Sequence, residues 1–159
     1  MSRIMKLNHL IIIAMVLALS FFGGQFTSSG MDWYKTINLP SWTPPGSVIG
    51  IVWTVIYILT AVSAMIVWKA FPRGKGFHIV VGLFILNAVF NLAWSYIFFY
   101  NRMIGAAIID SLAIEVTLLL LIPLVWKHSK VASALLIPYA LWVGFATCLN
   151  YTIYILNRA

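Results

Sequence analysis

Asn87, Asn91 and Trp94 lie four and seven residues along one apolar run, so a helix there carries all three on one face. Phe84 and Phe98 extend the same stripe. An unpaired amide in hydrocarbon costs several kcal/mol, so this face must turn inward. Two roles stay open for it. The amides can bond neighbouring helices together, or they can form the polar wall of a pocket and meet a ligand's carbonyl or carboxylate. The acids offer less. Asp110 and Glu115 occupy one apolar run but stand five residues apart, roughly 140° around a helix, so they form no acid–base pair. Asp110 is expected to point into the bundle and accept from a hydroxyl, amide or indole, a structural role ahead of a catalytic one. His9, His78 and His128 fall at the ends of apolar runs or in loops, so none is placed as an axial haem ligand within the membrane. No metal-ligand spacing, phosphate loop or nucleophile–base pair is visible. Aromatic faces and a few amides are what remains to hold a ligand.

Those aromatic faces recur in two other runs. Trp53 and Tyr57 stack at i and i+4. Trp142, Ala146, Leu149 and Ile153 form a stripe with Asn150 on its edge, just past Pro138, which is expected to interrupt the backbone ladder and kink the helix. A tryptophan facing a small residue beside a kink makes a cleft with an aromatic wall.

The elements that position these residues are apolar helices. The chain is 63% hydrophobic and 8% charged, with a mean hydropathy of +1.01, outside the range of soluble domains. Apolar runs of about 20 residues, each long enough to cross the hydrocarbon, cover approximately Leu7–Phe26, Val48–Trp68, Phe77–Phe99, Ile104–Val125 and Val131–Leu156. The fold class is therefore all-α: one integral membrane bundle of five transmembrane helices over residues 1–159. The first run is too long for the apolar core of a signal peptide and reads as a retained helix. A single cysteine, Cys148, excludes a disulfide framework. Short connections make sequential helices antiparallel neighbours. No internal repeat supports an inverted-repeat transporter.

Charge sets the orientation. Arg3, Lys6, Lys69, Arg73, Lys75, Lys127 and Lys130 fall on one side, against Lys35, Arg102 and Arg158 on the other. The positive-inside rule puts the first set, with the amino terminus, in the cytoplasm and leaves the first loop and carboxyl terminus outside. The net charge of +7 belongs to these flanks and to phospholipid headgroups rather than to nucleic acid. Trp68 and Trp126, beside Lys69 and Lys127, read as interfacial anchors.

The first loop, about 27–46, is the long one. Pro40, Pro44 and Pro45 stiffen the segment Trp33–Gly46 and keep it extended. Its Trp33, Tyr34 and Trp42 should fold onto apolar surface, either as a lid over a pocket above Trp53 or as an aromatic belt at headgroup level.

These segments together resemble the translocator protein family, also called the TspO/MBR, tryptophan-rich sensory protein or peripheral benzodiazepine receptor family, in its bacterial form. The resemblance rests on Trp33-Tyr34, Pro40-Ser41-Trp42-Thr43-Pro44-Pro45, Val52-Trp53, the run from Leu86 to Ser95, Ala106 to Asp110, and Pro138 to Thr147. It spans essentially the whole chain. It implies five helices, often as a homodimer, around a cavity capped by the first loop. The implied ligands are porphyrins, haem-type tetrapyrroles and isoquinoline-type molecules, with no cofactor or metal required. By the same resemblance the ligand residues are Trp33, Tyr34, Trp42, Pro44, Pro45, Trp53, Tyr57, Asn87, Phe90, Asn91, Trp94, Asp110, Trp142, Ala146 and Leu149. Trp53 and Trp142 correspond to the tryptophans implicated in light-dependent porphyrin breakdown. The family's sterol motif is matched only loosely by Leu149, Tyr154 and Arg158, so sterol binding is not carried over. Three functions follow as alternatives: a tetrapyrrole-binding sensor or regulator, a porphyrin-degrading enzyme, and a porphyrin transporter. The expected location is a bacterial cell membrane.

Overall fold

The computed structural model describes the backbone of residues 2–158 and the side chains of residues 7–158, which leaves the side chains of Arg3 and Lys6 outside the description. Its helices are α1 (Ser2–Tyr34), α2 (Gly46–Ala70), α3 (Lys75–Ser95) continued by a π turn (Tyr96–Tyr100), α4 (Ile104–Trp126), the short α5 (Lys130–Ala134) and α6 (Ile137–Asn157). Five stretches are long and apolar enough to span a bilayer, with α5 and α6 together forming the fifth. Ile51, Ile109 and Leu141 are among many large apolar side chains left on the outside, as a body solvated by lipid tails requires.

The first helix runs further than the sequence suggests. The expected loop began near residue 27, but α1 continues to Tyr34 and takes Trp33 and Tyr34 with it. The polar stretch before them satisfies itself within the helix: Thr27 Oγ1 donates to Gly23 O at 2.9 Å and Ser29 Oγ to Phe26 O at 2.7 Å. Gly30 then lets α1 lie directly against the backbone of Phe99 in the π turn. Only Lys35–Pro45 is loop, and α2 begins after Pro45.

Packing order also departs from the expected succession of neighbours. Helix α1 packs on α2, α3 and the π turn; α3 packs on α4, and α4 on α6. The α5 segment fills the gap between α2 and α4. Helices α2 and α3, though joined by a short loop, are not a packed pair. They meet through side chains at their shared end, where Trp68 lies edge-on to Phe77 at 5.1 Å and Phe71 lies 6.5 Å from Phe77. Helix α1 crosses the gap between them.

Pro138 does not kink a continuous helix. The fifth span breaks at Leu135–Leu136, and Pro138 opens α6 in its first turn, where the missing N–H is one the helix would leave unpaired anyway. The break lets Ser133 Oγ donate to Ile122 O and Ser63 Oγ to Ala132 O, each at 2.7 Å, which ties α5 to α4 and α2.

Three apolar clusters stack along the bundle. Val67, Phe77, Val80, Leu121, Val125 and Leu136 fill the end carrying the basic loops. Ile56, Ile114, Leu118, Tyr139 and Val143 fill the middle. Phe98, Phe99, Ala107, Leu149 and Ile153 fill the end under the first loop, the lid end.

Candidate functional site

At mid-membrane the side chains form a polar relay between three helices. Tyr57 O–H donates to Asn91 Oδ1 and Asn91 Nδ2 donates to Tyr139 Oη, both at 2.8 Å. Four residues earlier on α3, Asn87 Nδ2 donates to Thr117 Oγ1 at 2.7 Å and to Ile114 O at 3.3 Å. Both amides are buried and turned inward, as their spacing required. They bond α3 to α2, α4 and α6, so the cross-helix role is present. The pocket role is present as well, because Tyr57, Asn87, Asn91 and Tyr139 all border a cavity of about 300 Å³.

Trp53 lies on the lid side of this relay, its ring 5.6 Å from Tyr57 and 5.9 Å edge-on to Tyr139. Trp142 packs on the same middle cluster, as do Phe90 and Trp94. Trp142 also faces outward along a groove of about 410 Å³ between α2 and α6, with Ile51, Val52, Val55, Ile56, Pro138 and Leu141. Trp94 stacks on Phe98 at 4.9 Å with the planes 11° apart. From the end of α1, Trp33 meets Phe98 edge-on at 5.6 Å, and Tyr34 lies 5.7 Å from Phe99.

The loop reaches the bundle through Trp42, whose ring stands edge-on to Phe145 at 5.8 Å; Phe145 is 5.2 Å from Trp142. Trp42 keeps 47% of its surface exposed, so it rests on the bundle rather than entering it. Pro44 is half-buried beside it and Pro45 is exposed at the start of α2. Leu149 is buried against Phe98, Phe99 and Ala107, and Ala146 is half-buried on α6.

Of the expected ligand residues, the inner cavity gathers Tyr57, Asn87 and Asn91, and the outer groove gathers Trp142; the others line neither. Asp110 differs from expectation in one respect. It is half-buried, yet Oδ2 lies out of reach of solvent without the hydroxyl, amide or indole donor foreseen for it among the described residues. Val143, Leu149 and Ile153 of α6 pack near this part of α4 without a donor, and the donors of Tyr139, Trp142 and Tyr154, which also pack on α4, do not bond the Asp110 carboxylate. The Asn150 amide, 2% exposed, and Trp142 Nε1 are likewise without partners.

Two contributors went unnoticed in the sequence. Tyr139 completes the relay, and the signal was available: a tyrosine inside an apolar span needs a partner for its hydroxyl. Phe145 links lid to tryptophan and carries no signal apart from its position three residues past Trp142. Among the described residues no three His, Cys, Asp or Glu side chains gather to hold a metal. The arrangement can stack flat rings, and it can offer hydroxyls and amides to a polar edge.

Comparison with known proteins gives a concordant result. Residues 11–156 match the model of the TspO/MBR family. The chain is 38% identical over 154 residues to the "Tryptophan-rich protein TspO" of Bacillus cereus, covering 96% of this chain and 99% of the relative. It is 36% identical to the "Uncharacterized membrane protein YtaB" of Bacillus subtilis, over 93% of this chain and 95% of that one. The "Translocator protein" of Homo sapiens is 33% identical over 84% of this chain and 80% of its own length.

Proposed function

The chain belongs to the TspO/MBR family of multi-pass membrane proteins, and from that premise we propose that it binds porphyrin- and haem-type tetrapyrroles against Trp53 and Trp142, under the first loop, and promotes their breakdown in light. The observation that carries the reading is the aromatic path from lid to interior. Trp42 touches Phe145, Phe145 touches Trp142, and Trp142 and Trp53 pack on one apolar cluster. A ligand stacked on either tryptophan is thereby coupled to the lid. The Tyr57–Asn91–Tyr139 relay beneath Trp53 supplies donors and acceptors for a polar edge. Tryptophan serves both as a stacking face and as an oxidisable ring, which a light-excited porphyrin in contact with it can use. Among the described residues no side chain in the site is arranged as a nucleophile with its base.

Titration of the purified protein with protoporphyrin and with haem, followed by absorbance and tryptophan quenching, tests binding. Illumination of the loaded protein tests turnover. Saturable binding with loss of the porphyrin bands only in light is the expected result; bands that persist leave a binder, and no saturation removes the reading.

In the same reading the basic end faces the cytoplasm of a bacterial cell and the lid faces out. Single cysteines at positions 35 and 75 in a Cys148-free background decide this by labelling of whole cells. Position 35 should label and position 75 should not.

A further inference from the structure

The inner cavity, bordered by Tyr57, Asn87 and Asn91, lies mostly away from the lid. It occupies the gap where α2 and α3 diverge and α1 crosses without closing it. Asn8, Trp68 and Val81 mark its end near the basic loops, and Leu19, Tyr57 and Asn91 its end at mid-membrane. From Asn8 to Leu19 a helix rises roughly 16 Å. The hydrocarbon of one leaflet is about 15 Å thick. The cavity is therefore as deep as a single leaflet and runs along the bilayer normal.

Its surface is apolar. The polar side chains at its deep end bond one another: Tyr57 to Asn91, Asn91 to Tyr139, and Asn87 to Thr117. Along the length stand Ile12, Val16, Ala64, Phe84 and Ala88. Thr60 Oγ1 and Trp68 Nε1 on this lining have no partner among the described residues, and a lining with so few polar groups favours an uncharged chain over a macrocycle carrying carboxylates. A hydrocarbon chain needs no partner. Ile11, Met15 and Ile85 line the cavity while remaining 49%, 41% and 47% exposed, so it opens sideways to the bilayer.

The mouth carries charge of one sign. Trp68 borders the cavity, and the Arg73 guanidinium lies 4.8 Å from the centre of its ring. Lys69 is exposed next to it, and Lys127 and Lys130 lie at the same end. The chain's three acids, Asp32, Asp110 and Glu115, are all elsewhere. We propose that this cavity is a binding site for one acyl chain of an anionic phospholipid, drawn from the leaflet at the basic end, with the headgroup phosphate beside Arg73 and Lys69. The site shares Tyr57, Asn91 and Tyr139 with the relay invoked for tetrapyrroles, but the lipid assignment does not rest on that reading.

Native mass spectrometry of the full chain, equilibrated with phosphatidylglycerol and phosphatidylcholine of identical chains, tests the proposal. One retained phosphatidylglycerol per chain is expected, in preference to phosphatidylcholine. Ala64→Phe and Ala88→Phe fill the cavity and should each lose most of the retained lipid. Lys69→Glu with Arg73→Glu should abolish the headgroup preference. Undiminished retention in both filled variants overturns the site, and so does a dimer free of lipid, which would mean that a second copy covers this face. Because a filled variant that misfolds would lose lipid for that reason alone, a photoreactive diazirine at the acyl-chain terminus is used on the unaltered protein. Labelling at Leu19, Tyr57 and their neighbours is expected. Labelling spread over Ile51, Ile109 and Leu141 overturns the proposal. Protoporphyrin titration of the same samples separates the two readings: lipid retained without porphyrin binding fails the proposed function alone.

Discussion

Asn157, the last residue of α6, clasps Asn38 of the lid loop. Asn38 N–H donates to Asn157 Oδ1 and Asn157 Nδ2 donates to Asn38 O, both at 2.9 Å, so one amide side chain imitates the pairing of an adjacent strand. Asn157 Nδ2 also reaches Ile153 O at 2.8 Å, and Asn38 Nδ2 reaches Leu156 O at 3.4 Å. The loop also holds to the bundle through Ile37, packed on the cluster beneath it, and through the Trp42–Phe145 edge contact. Asn157→Ala should therefore free the loop and leave the helices intact. Exposed hydrogen bonds contribute about 0.5–1.5 kcal/mol each, so losing two should speed amide exchange over residues 36–43 by about tenfold or more. Exchange across α3 and α4 should not change. Loop protection equal to the parent's would show that Trp42 and the prolines hold the lid without the clasp.

Gly30 predicts where α1 is held. A Cβ there would lie 2.7 Å from the Phe99 carbonyl carbon, which is backbone and cannot swing aside. Gly30→Ala should push α1 off the π turn at a cost of about 1–3 kcal/mol. A lower thermal midpoint in detergent and a changed Trp33 environment, read by fluorescence, are the expected signs. Gly24→Ala is the control, since an added Cβ there meets nothing within 4 Å.

What the sequence made legible was whatever one helix decides alone. Asn87 and Asn91 had to face inward because of their spacing and the solvent, and they do. The apolar runs became spans for the same reason. What depended on a partner element was hidden. The Gly- and Ser-rich stretch from Gly23 to Gly30 has the composition of a loop, and it stays helical because its hydroxyls bond its own carbonyls and Gly30 seats against Phe99. Pro138 looked like a kink because the break at Leu135–Leu136 has no glycine or proline of its own to announce it. The insertion of α1 beside α2 and α3, on which the inner cavity depends, has no signal in a loop that reads merely as short. Of the site, the residue types were legible; which of them share a cavity was not.

Asn91 is the shared member of the relay, so removing it should cost more than removing either tyrosine hydroxyl. Asn91→Leu leaves the hydroxyls of Tyr57 and Tyr139 without that partner, whereas Tyr57→Phe releases only Asn91 Oδ1. Hydrogen bonds between membrane helices average about 0.6 kcal/mol, so the single phenylalanine variants should lose about that much. Asn91→Leu should lose about 1–2 kcal/mol, because two buried groups are stranded at once. Unfolding in mixed micelles gives the order. Equal losses in all three variants would mean that water or lipid replaces the amide.

Trp53 and Trp142 separate binding from chemistry. Each contributes a flat face to the middle of the bundle, and neither can act as a nucleophile, so the proposed turnover would draw on the indole itself. Phenylalanine keeps an aromatic face and removes the indole, with its N–H and its lower oxidation potential. The lost stacking area is worth about 1 kcal/mol, so porphyrin affinity of Trp53→Phe and Trp142→Phe should stay within about tenfold of the parent. Light-driven loss of the porphyrin bands should fall by far more. Of the two, Trp142→Phe carries the sharper test. Its Nε1 is buried and unpartnered, so the substitution removes no hydrogen bond from the resting protein, and any loss of turnover belongs to the ring. If both variants bleach porphyrin at the parent's rate, the tryptophans are walls and the light chemistry is the porphyrin's own. If affinity collapses instead, the indole N–H recognises the ligand, and Trp142 Nε1 is the donor waiting for it.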